Sequence, residues 1–133
     1  EGRLGHGDVH DCGVPRKVHT MDGMRVKRIA CGAAHTVLVT EQEGDVYTTG
    51  RGLACGHGSL EDIHQPTRIQ SLAGVAKIVT CEAGAAHTGL LTWHGEVVMF
   101  GWNGQGQVGR GDRIDQLTPL VLHIPHQIIR IAL

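Results

Sequence analysis

The sequence predicts an all-β fold in which short antiparallel sheets repeat along the chain. The run Gly-Ala-Ala-His-Thr occurs at residues 32–36 and returns unchanged at residues 84–88. Glycine accounts for 20 of the 133 residues, which implies many tight turns. No stretch longer than about ten residues sustains the i, i+3, i+4 apolar spacing of an amphipathic helix. The chain is therefore expected to consist of repeated, glycine-turned β-units.

The repeat has a period of 51 to 53 residues, measured between equivalent landmarks. Successive steps of 51 and 53 residues separate Pro15, Pro66 and Pro119. The same two steps separate Gly7, Gly58 and Gly111. A fixed period of this kind indicates the architecture more strongly than the secondary-structure propensities of individual residues do. We therefore divide the chain into units at approximately residues 1–51, 52–103 and 104–133, of which the third is incomplete.

Each unit contains short apolar or alternating segments bounded by glycine, which predict strands. The predicted strands are Met24–Cys31, Thr36–Thr40 and Asp45–Thr49 in the first unit, and Val75–Cys81, Thr88–Thr92 and Glu96–Phe100 in the second. Gly44 and Gly95 lie between the second and third strands, where a hairpin turn needs positive φ. An all-β unit of about 50 residues with short hairpins is typical of a β-propeller blade, a four-stranded antiparallel sheet.

The order of these motifs resembles the regulator of chromosome condensation repeat. The first unit has Leu4-Gly5-His6-Gly7-Asp8, then Pro15, the run at residues 32–36 and the hairpin ending at Gly50. The second unit passes from Cys55-Gly56-His57-Gly58 through Pro66 and His87 to Gly101-Trp102-Asn103, and the third opens at Gly104. Glycine and histidine positions that recur in register are expected to be structural: Gly5, Gly7, Gly32, His35, Gly50, Gly56, Gly58, Gly84, His87, Gly101, Gly109 and Gly111.

The chain departs from the family pattern at a few positions. Thr49 and Phe100 stand where the family usually has tryptophan, and Cys55 stands where it has leucine. Residues 51–54 replace a turn that usually contains asparagine. Glu82-Ala83 resembles a two-residue insertion before Gly84. These differences leave the fold assignment intact, because the repeated landmarks keep their order.

The resemblance implies a closed seven-bladed propeller, of which this chain would form part of one domain. Seven units of about 51 residues exceed the length of the chain. We therefore expect the rest of the same polypeptide to be needed to close the propeller, because each blade buries its faces against its neighbours.

Composition argues against several classes of function. A net charge of −1 provides no overall basic field, so direct contact with nucleic acid is not expected. The apolar runs are shorter than the roughly 20 residues that a membrane-spanning helix needs, so no membrane insertion is expected. Four cysteines, spaced too widely for a disulfide scaffold, favour a reducing compartment, cytoplasmic or nuclear.

Three possible chemical sites, for a dinucleotide, for zinc and for a nucleophile, are not supported by the surrounding residues. Residues 104–109 spell the dinucleotide-binding fingerprint, but Arg110-Gly111-Asp112 continues as a turn where a helix is required. Cys31 with His35, or Cys55 with His57, lacks the paired spacing of a structural zinc site. A Cys-His nucleophile would lack a recognisable orienting group. We therefore predict a non-enzymatic chain without cofactor or metal, in which His35 and His87 are buried imidazoles bonded to turn backbone.

Loop residues at the rim of the propeller are the better functional candidates, because loops on a rigid scaffold can vary without disturbing the packing. The candidates for contact with a protein partner are Asp8, Arg51, Trp102, Arg110, Asp112 and Arg113. For Trp102, packing between blades is the stronger expectation. The favoured function is a protein-interaction module. The resemblance also implies two alternatives, nucleotide exchange on a Ran-like small GTPase and association with chromatin.

Overall fold

The computed structural model describes residues 1–75 and 77–133 and contains two four-stranded antiparallel sheets. Sheet 1 has the strand order β1-β2-β3-β4, with β1 at Val26–Cys31, β2 at His35–Thr40, β3 at Val46–Gly50 and β4 at Ile63–Arg68. Sheet 2 repeats this order with β5 at Ile78–Ala83, β6 at His87–Thr92, β7 at Val97–Gly101 and β8 at Gln116–Val121. The predicted all-β fold of four-stranded antiparallel blades is confirmed. Short 3-10 helices lie at His19–Met21, Gly52–Ala54 and Gln70–Leu72.

The first three strands of each sheet lie where the sequence predicts them, with each end shifted by at most three residues. Ala76, within the strand predicted from Val75, lies outside the described residues. The fourth strands, which the sequence did not locate, contain Pro66 and Pro119. Proline has no N–H to donate, and an edge strand tolerates it because one side of that strand is unpaired. Both fourth strands lie in the repeat unit that follows the first three strands of their sheet. Each sheet is thus completed by a strand from the next unit.

The inferred insertion at Glu82-Ala83 is wrong. Ala83 pairs with Thr88 across β5 and β6, just as Cys31 pairs with Thr36 across β1 and β2. Both strand pairs also have an irregularity at the same place, between Val26 and Arg28 and between Ile78 and Thr80. The two units are thus in continuous register through this region, and Ala83, not Cys81, is the counterpart of Cys31.

The two sheets pack face to face around one apolar cluster. Its members are Val37, Val39, Val46, Ile69, Ile78, Cys81, Leu90, Val98 and Phe100, each at most 3% exposed. Alternate residues of a strand point to opposite faces, so the valines of sheet 1 meet one face of sheet 2. Full burial of each large apolar side chain contributes about 1.5–3 kcal/mol. This interface fixes one blade against the next.

Phe100 shows how a loop is attached to this core. Its ring is fully buried, and a Cβ on Gly56 would lie 2.8 Å from the ring atom Cε2. Gly56 also has a φ of +80°, so the β3–β4 loop can lie directly on the ring only with glycine there. The equivalent residue of sheet 1, Thr49, instead shares its single hydroxyl proton between the carbonyls of Gly2 at 2.9 Å and Ile63 at 2.8 Å.

A second apolar cluster lies on the other face of sheet 2. Leu91, Val97, Met99 and Val108 are buried there, and Ile128 and Ile131 pack against them. Residues 127–131 therefore cover sheet 2 much as β5 covers sheet 1. Among the described residues, no helix is long and apolar enough to cross a membrane.

Candidate functional site

The loops that connect β1 to β2 and β3 to β4 leave the same end of sheet 1, because adjacent strands are antiparallel. The corresponding loops of sheet 2 repeat this arrangement. The loop face, as we name it, comprises residues 1–14, 32–34, 51–62, 84–86 and 102–115. The Arg3 guanidinium donates to the carbonyl of Ala33 at 2.9 Å, which places the N-terminal segment on this face. All six predicted partner-contact residues belong to these segments.

The two ends of the loop at residues 51–62 lie directly against each other. The Gly52 N–H donates to the Asp62 carboxylate at 3.1 Å, and a Cβ on Gly52 would collide with the backbone of Leu60 and Glu61. Glycine is required here because the loop backbone occupies the space of a side chain. This explains why the first loop lacks the asparagine that the resembled family usually has.

The loop at residues 102–115 is built around Asn103, whose side chain is fully buried. The amide Nδ2 donates to the carbonyls of Asp112 at 2.9 Å and Ile114 at 3.1 Å, and Oδ1 accepts from the Val108 N–H at 2.9 Å. The apparent dinucleotide fingerprint at residues 104–109 consists of turns around this amide, and no helix follows it. Its glycines Gly106 and Gly109 have φ values of +81°. Sequence reasoning did not identify Asn103 as the centre of the loop, because its partners become adjacent only when the loop closes.

Three of the six candidate residues hold loop turns. Asp8 accepts a hydrogen bond from the His10 N–H at 3.1 Å, and Asp112 accepts one from the Ile114 N–H at 3.0 Å. In the second unit, Ser59 stands at the equivalent position and caps the corresponding turn. The hydrogen bond from His10 and the charge of Arg16 hold the pKa of Asp8 below its usual value. Arg110 is engaged with Asp112 at 2.8 Å and with the Gln116 side chain at 2.6 Å.

The other three candidates present free surface on the loop face. Arg51 and Arg113 are exposed and form no ion pair with any described residue. Trp102 is 37% exposed, and its ring lies over Gly104 of its own loop. The expectation that Trp102 packs between blades stays a prediction; among the described residues its ring lies against Gly104, where a Cβ would come within 2.8 Å of the indole. Together these side chains provide two unpaired cations and one aromatic surface.

His35 joins the two sheets through a hydroxyl group, not through turn backbone as expected. Its ring Nε2 lies 2.9 Å from Oγ1 of Thr88, and that hydroxyl donates to the carbonyl of Ala54 at 3.0 Å. Because the hydroxyl proton is used on Ala54, Nε2 must carry the proton that His35 donates. Burial, followed by the nearby His87, lowers the pKa of His35 to about 4. His35 is therefore neutral and acts as a structural joint between blades.

The cysteines and histidines do not form a reactive or metal-binding cluster in the described part of the chain. Burial raises the pKa of both Cys55 and Cys81 to about 12, so their thiolate forms are scarce at neutral pH. The His57 ring contacts the Thr48 hydroxyl at 2.9 Å. No group of three or more metal-ligating side chains was found among residues 1–75 and 77–133.

Comparison with known proteins identifies the repeat. The regulator of chromosome condensation (RCC1) repeat profile matches residues 1–39 and 43–91, and a second profile of the same repeat matches residues 26–57. The ultraviolet-B receptor UVR8 of Arabidopsis thaliana is 41% identical over 120 residues, covering 89% of this chain and 27% of the receptor. Human E3 ubiquitin-protein ligase HERC2 is 37% identical over 112 residues, covering 83% of this chain and 2% of the ligase. The chain thus spans a small part of these relatives.

Solved structures show the same architecture. Human WBSCR16 superimposes with a TM-score of 0.75 at 27% identity, covering 84% of this chain and 30% of that protein. Prp20p from Saccharomyces cerevisiae, whose structure was described with its binding to Gsp1p and histones, gives a TM-score of 0.74 at 22% identity, covering 93% of this chain and 32% of Prp20p. The shared motifs, the four-stranded blades and the matched profiles lead to one conclusion: the chain belongs to the regulator of chromosome condensation (RCC1) repeat family.

Proposed function

We propose that this chain is a non-catalytic protein-interaction module that binds its partner through the loop face. The observation that supports the proposal is that some residues of that face fix the loops while others are free to contact a partner. Asn103, Asp112 and Asp62 hold the loops in fixed positions, while Arg51, Arg113 and Trp102 remain available. Arginine and tryptophan are enriched among the residues that dominate binding energy at protein interfaces. A rigid platform that presents them suits an acidic protein surface.

Charge reversal on the loop face tests this proposal. Arg51→Glu and Arg113→Glu should each weaken partner binding by about tenfold or more, because a like charge replaces an attractive one. Arg25→Glu is the matched control: Arg25 is also exposed but precedes β1, at the opposite end of the sheet. Partners would be captured by cross-linking and identified by mass spectrometry, and their affinities measured with each variant. Equal loss with Arg25→Glu, or unchanged affinity with both loop-face variants, would reject the loop face as the binding surface.

Nucleotide exchange on a Ran-like GTPase is the second candidate, supported by the fold shared with Prp20p and the Gsp1p binding described for that protein. Such activity would need no nucleophile, because a protein that binds the nucleotide-free GTPase more tightly than the loaded form promotes release. Release of a labelled nucleotide would be followed with and without the protein. A rate equal to the spontaneous rate would exclude this function.

Chromatin association is a third candidate, since histones are also among the described ligands of Prp20p. Histones are basic, whereas this chain has a net charge of −1, so the interaction would depend on local acidic groups. Binding to reconstituted nucleosomes that disappears in moderate salt and is insensitive to loop-face variants would argue against a specific role.

Further units of the same polypeptide complete the propeller in this proposal. The chain covers 30% of the WBSCR16 chain, and the faces of its sheets are built to pack against neighbours.

A further inference from the structure

The turn that follows Gly58 differs chemically from its two counterparts in the repeat. Asp8, Ser59 and Asp112 occupy equivalent positions, each directly after a glycine of positive φ. The side-chain oxygens of these three residues accept a hydrogen bond from the N–H two residues further on, at 3.1, 3.0 and 3.0 Å. The three turns therefore share one structure, but two of them carry a negative charge and the third carries a neutral hydroxyl.

The repeat shows that this turn accommodates a negative charge. Asp8 is paired with Arg16 at 3.4 Å, and Asp112 is paired with Arg110 at 2.8 Å. Both carboxylates cap their turns at the same time. A phosphate group is likewise anionic, and its oxygens are strong hydrogen-bond acceptors. A phosphate on Ser59 would therefore bring a charge of the same sign to a turn that the other two units already form with that charge.

The Ser59 hydroxyl is free to react. Its oxygen accepts the Glu61 N–H, and no acceptor for its proton is found in the described part of the chain. The hydroxyl of buried Thr88, by contrast, donates its proton to the Ala54 carbonyl at 3.0 Å. Ser59 is only partly buried, and the neighbouring Leu60 is 67% exposed. The Ser59 hydroxyl is therefore accessible to an enzyme that approaches the loop face.

The residues that follow Ser59 are acidic. Glu61 and Asp62 are the second and third residues after the serine, and both are exposed. Protein kinases select substrates partly by complementary charge, so two carboxylates after the serine suit a kinase with a basic substrate groove. Ser71, the other serine of the sequence, is also exposed, but no acidic residue follows it before Glu82. The charge pattern therefore distinguishes the two serines.

We propose that Ser59 is a phosphorylation site for an acid-directed serine kinase, and that its phosphate takes the capping position that the carboxylates of Asp8 and Asp112 hold in the other two units. In this reaction Oγ attacks the γ-phosphorus of ATP and the bond from that phosphorus to the bridging oxygen breaks. ADP leaves, and the hydroxyl proton passes to the catalytic base of the kinase.

The phosphate changes the charge of the loop face. It adds a charge of about −1.5 to −2 to the loop that also carries Arg51. Phosphorylation of Ser59 should therefore weaken the binding of an acidic partner, because like charges repel. This consequence rests on the proposed function of the loop face, whereas the modification itself does not.

Incubation with ATP and a serine kinase whose peptide substrates require acidic residues after the serine tests the modification, and mass spectrometry locates the phosphate. The original chain should gain one phosphate, at Ser59. Ser59→Ala should remove it, and Ser71→Ala should leave it unchanged. Glu61→Gln should slow the reaction by about tenfold, because one of the two charges that the kinase recognises is lost.

Two results of this experiment would overturn the proposal. The first is phosphorylation mainly at Ser71 or at a threonine. The second is a faster reaction at Ser59 in the destabilised variant Phe100→Ala, which would show that the kinase acts on the unfolded chain.

Urea unfolding tests the capping position separately from the kinase. Ser59→Ala removes the acceptor of the Glu61 N–H, so its urea midpoint should fall. Ser59→Asp and the phosphorylated chain should keep or exceed the midpoint of the original chain. A midpoint for Ser59→Asp as low as that for Ser59→Ala would show that the turn of the second unit does not accept a negative charge, and the assigned position of the phosphate would be wrong.

Affinity for the cross-linked partner tests the consequence for binding. The phosphorylated chain should bind about tenfold more weakly than the original chain, and Ser59→Ala treated with the kinase should bind as the original does. Unchanged affinity of the phosphorylated chain, together with a loss for Arg51→Glu, would overturn the regulatory effect and support the loop face as the binding surface. Normal binding by Arg51→Glu as well would reject the proposed function, while the mass measurements would still decide the modification.

Discussion

Acid should weaken the joint between the sheets, and His35 lets the size of the effect be estimated. The imidazole is 1% exposed, and its pKa is about 4 against an ordinary value of 6.5. A depressed pKa means that the unfolded chain takes up a proton at a pH at which the folded chain does not. The stability contributed by neutral His35 is therefore complete above pH 6.5, declines as the pH falls, and is lost by about pH 4. The difference of 2.5 pH units corresponds to about 3 kcal/mol.

Urea unfolding at several pH values between about 7.5 and 4 measures this loss. The matched variant is His35→Gln, which keeps a side-chain N–H donor but does not titrate. Its free energy of unfolding should fall less steeply with pH, and the difference from the original chain isolates His35 from other titrating groups. NMR titration of the His35 ring gives its pKa directly. A ring pKa at or above 6.5, or equal pH dependence in both proteins, would refute the reasoning.

Three further predictions concern packing and reactivity. Gly32→Ala should lower the free energy of unfolding by about 1–3 kcal/mol, because the added methyl group meets the His35 ring; Gly13→Ala, in open space, should change it by less than about 0.5 kcal/mol. Phe100→Ala should cost about 3–5 kcal/mol by leaving a cavity at the sheet interface, and Phe100→Leu should cost less; equal urea midpoints for both variants would contradict this. Under native conditions Cys31 should react with a thiol reagent and Cys55, whose pKa is about 12, should not, so comparable rates would show that the core is open.

The sequence by itself determined the repeat and three strands of each blade. The period is visible because identical landmarks recur, and the strands because alternating apolar residues and turn glycines are local signals. Gly44 and Gly95 illustrate this: both have positive φ at the predicted hairpins, with values of +72° and +81°. A residue's own neighbours in the sequence set these features, so no tertiary contact was needed to infer them.

The tertiary structure alone decided how the blades are completed and joined. The fourth strand, which contains Pro66, has little alternation and is a strand only because β3 provides its hydrogen-bond partners. The alignment of Glu82 with the first repeat unit depended on the register between strands, which cannot be obtained from sequence motifs. The position of the Trp102 ring depended on its contact with Gly104, which has no Cβ to displace it. His35 finds its hydroxyl partner 53 residues away, on another sheet. Such contacts are absent from local sequence patterns because they form only when separate sheets come together.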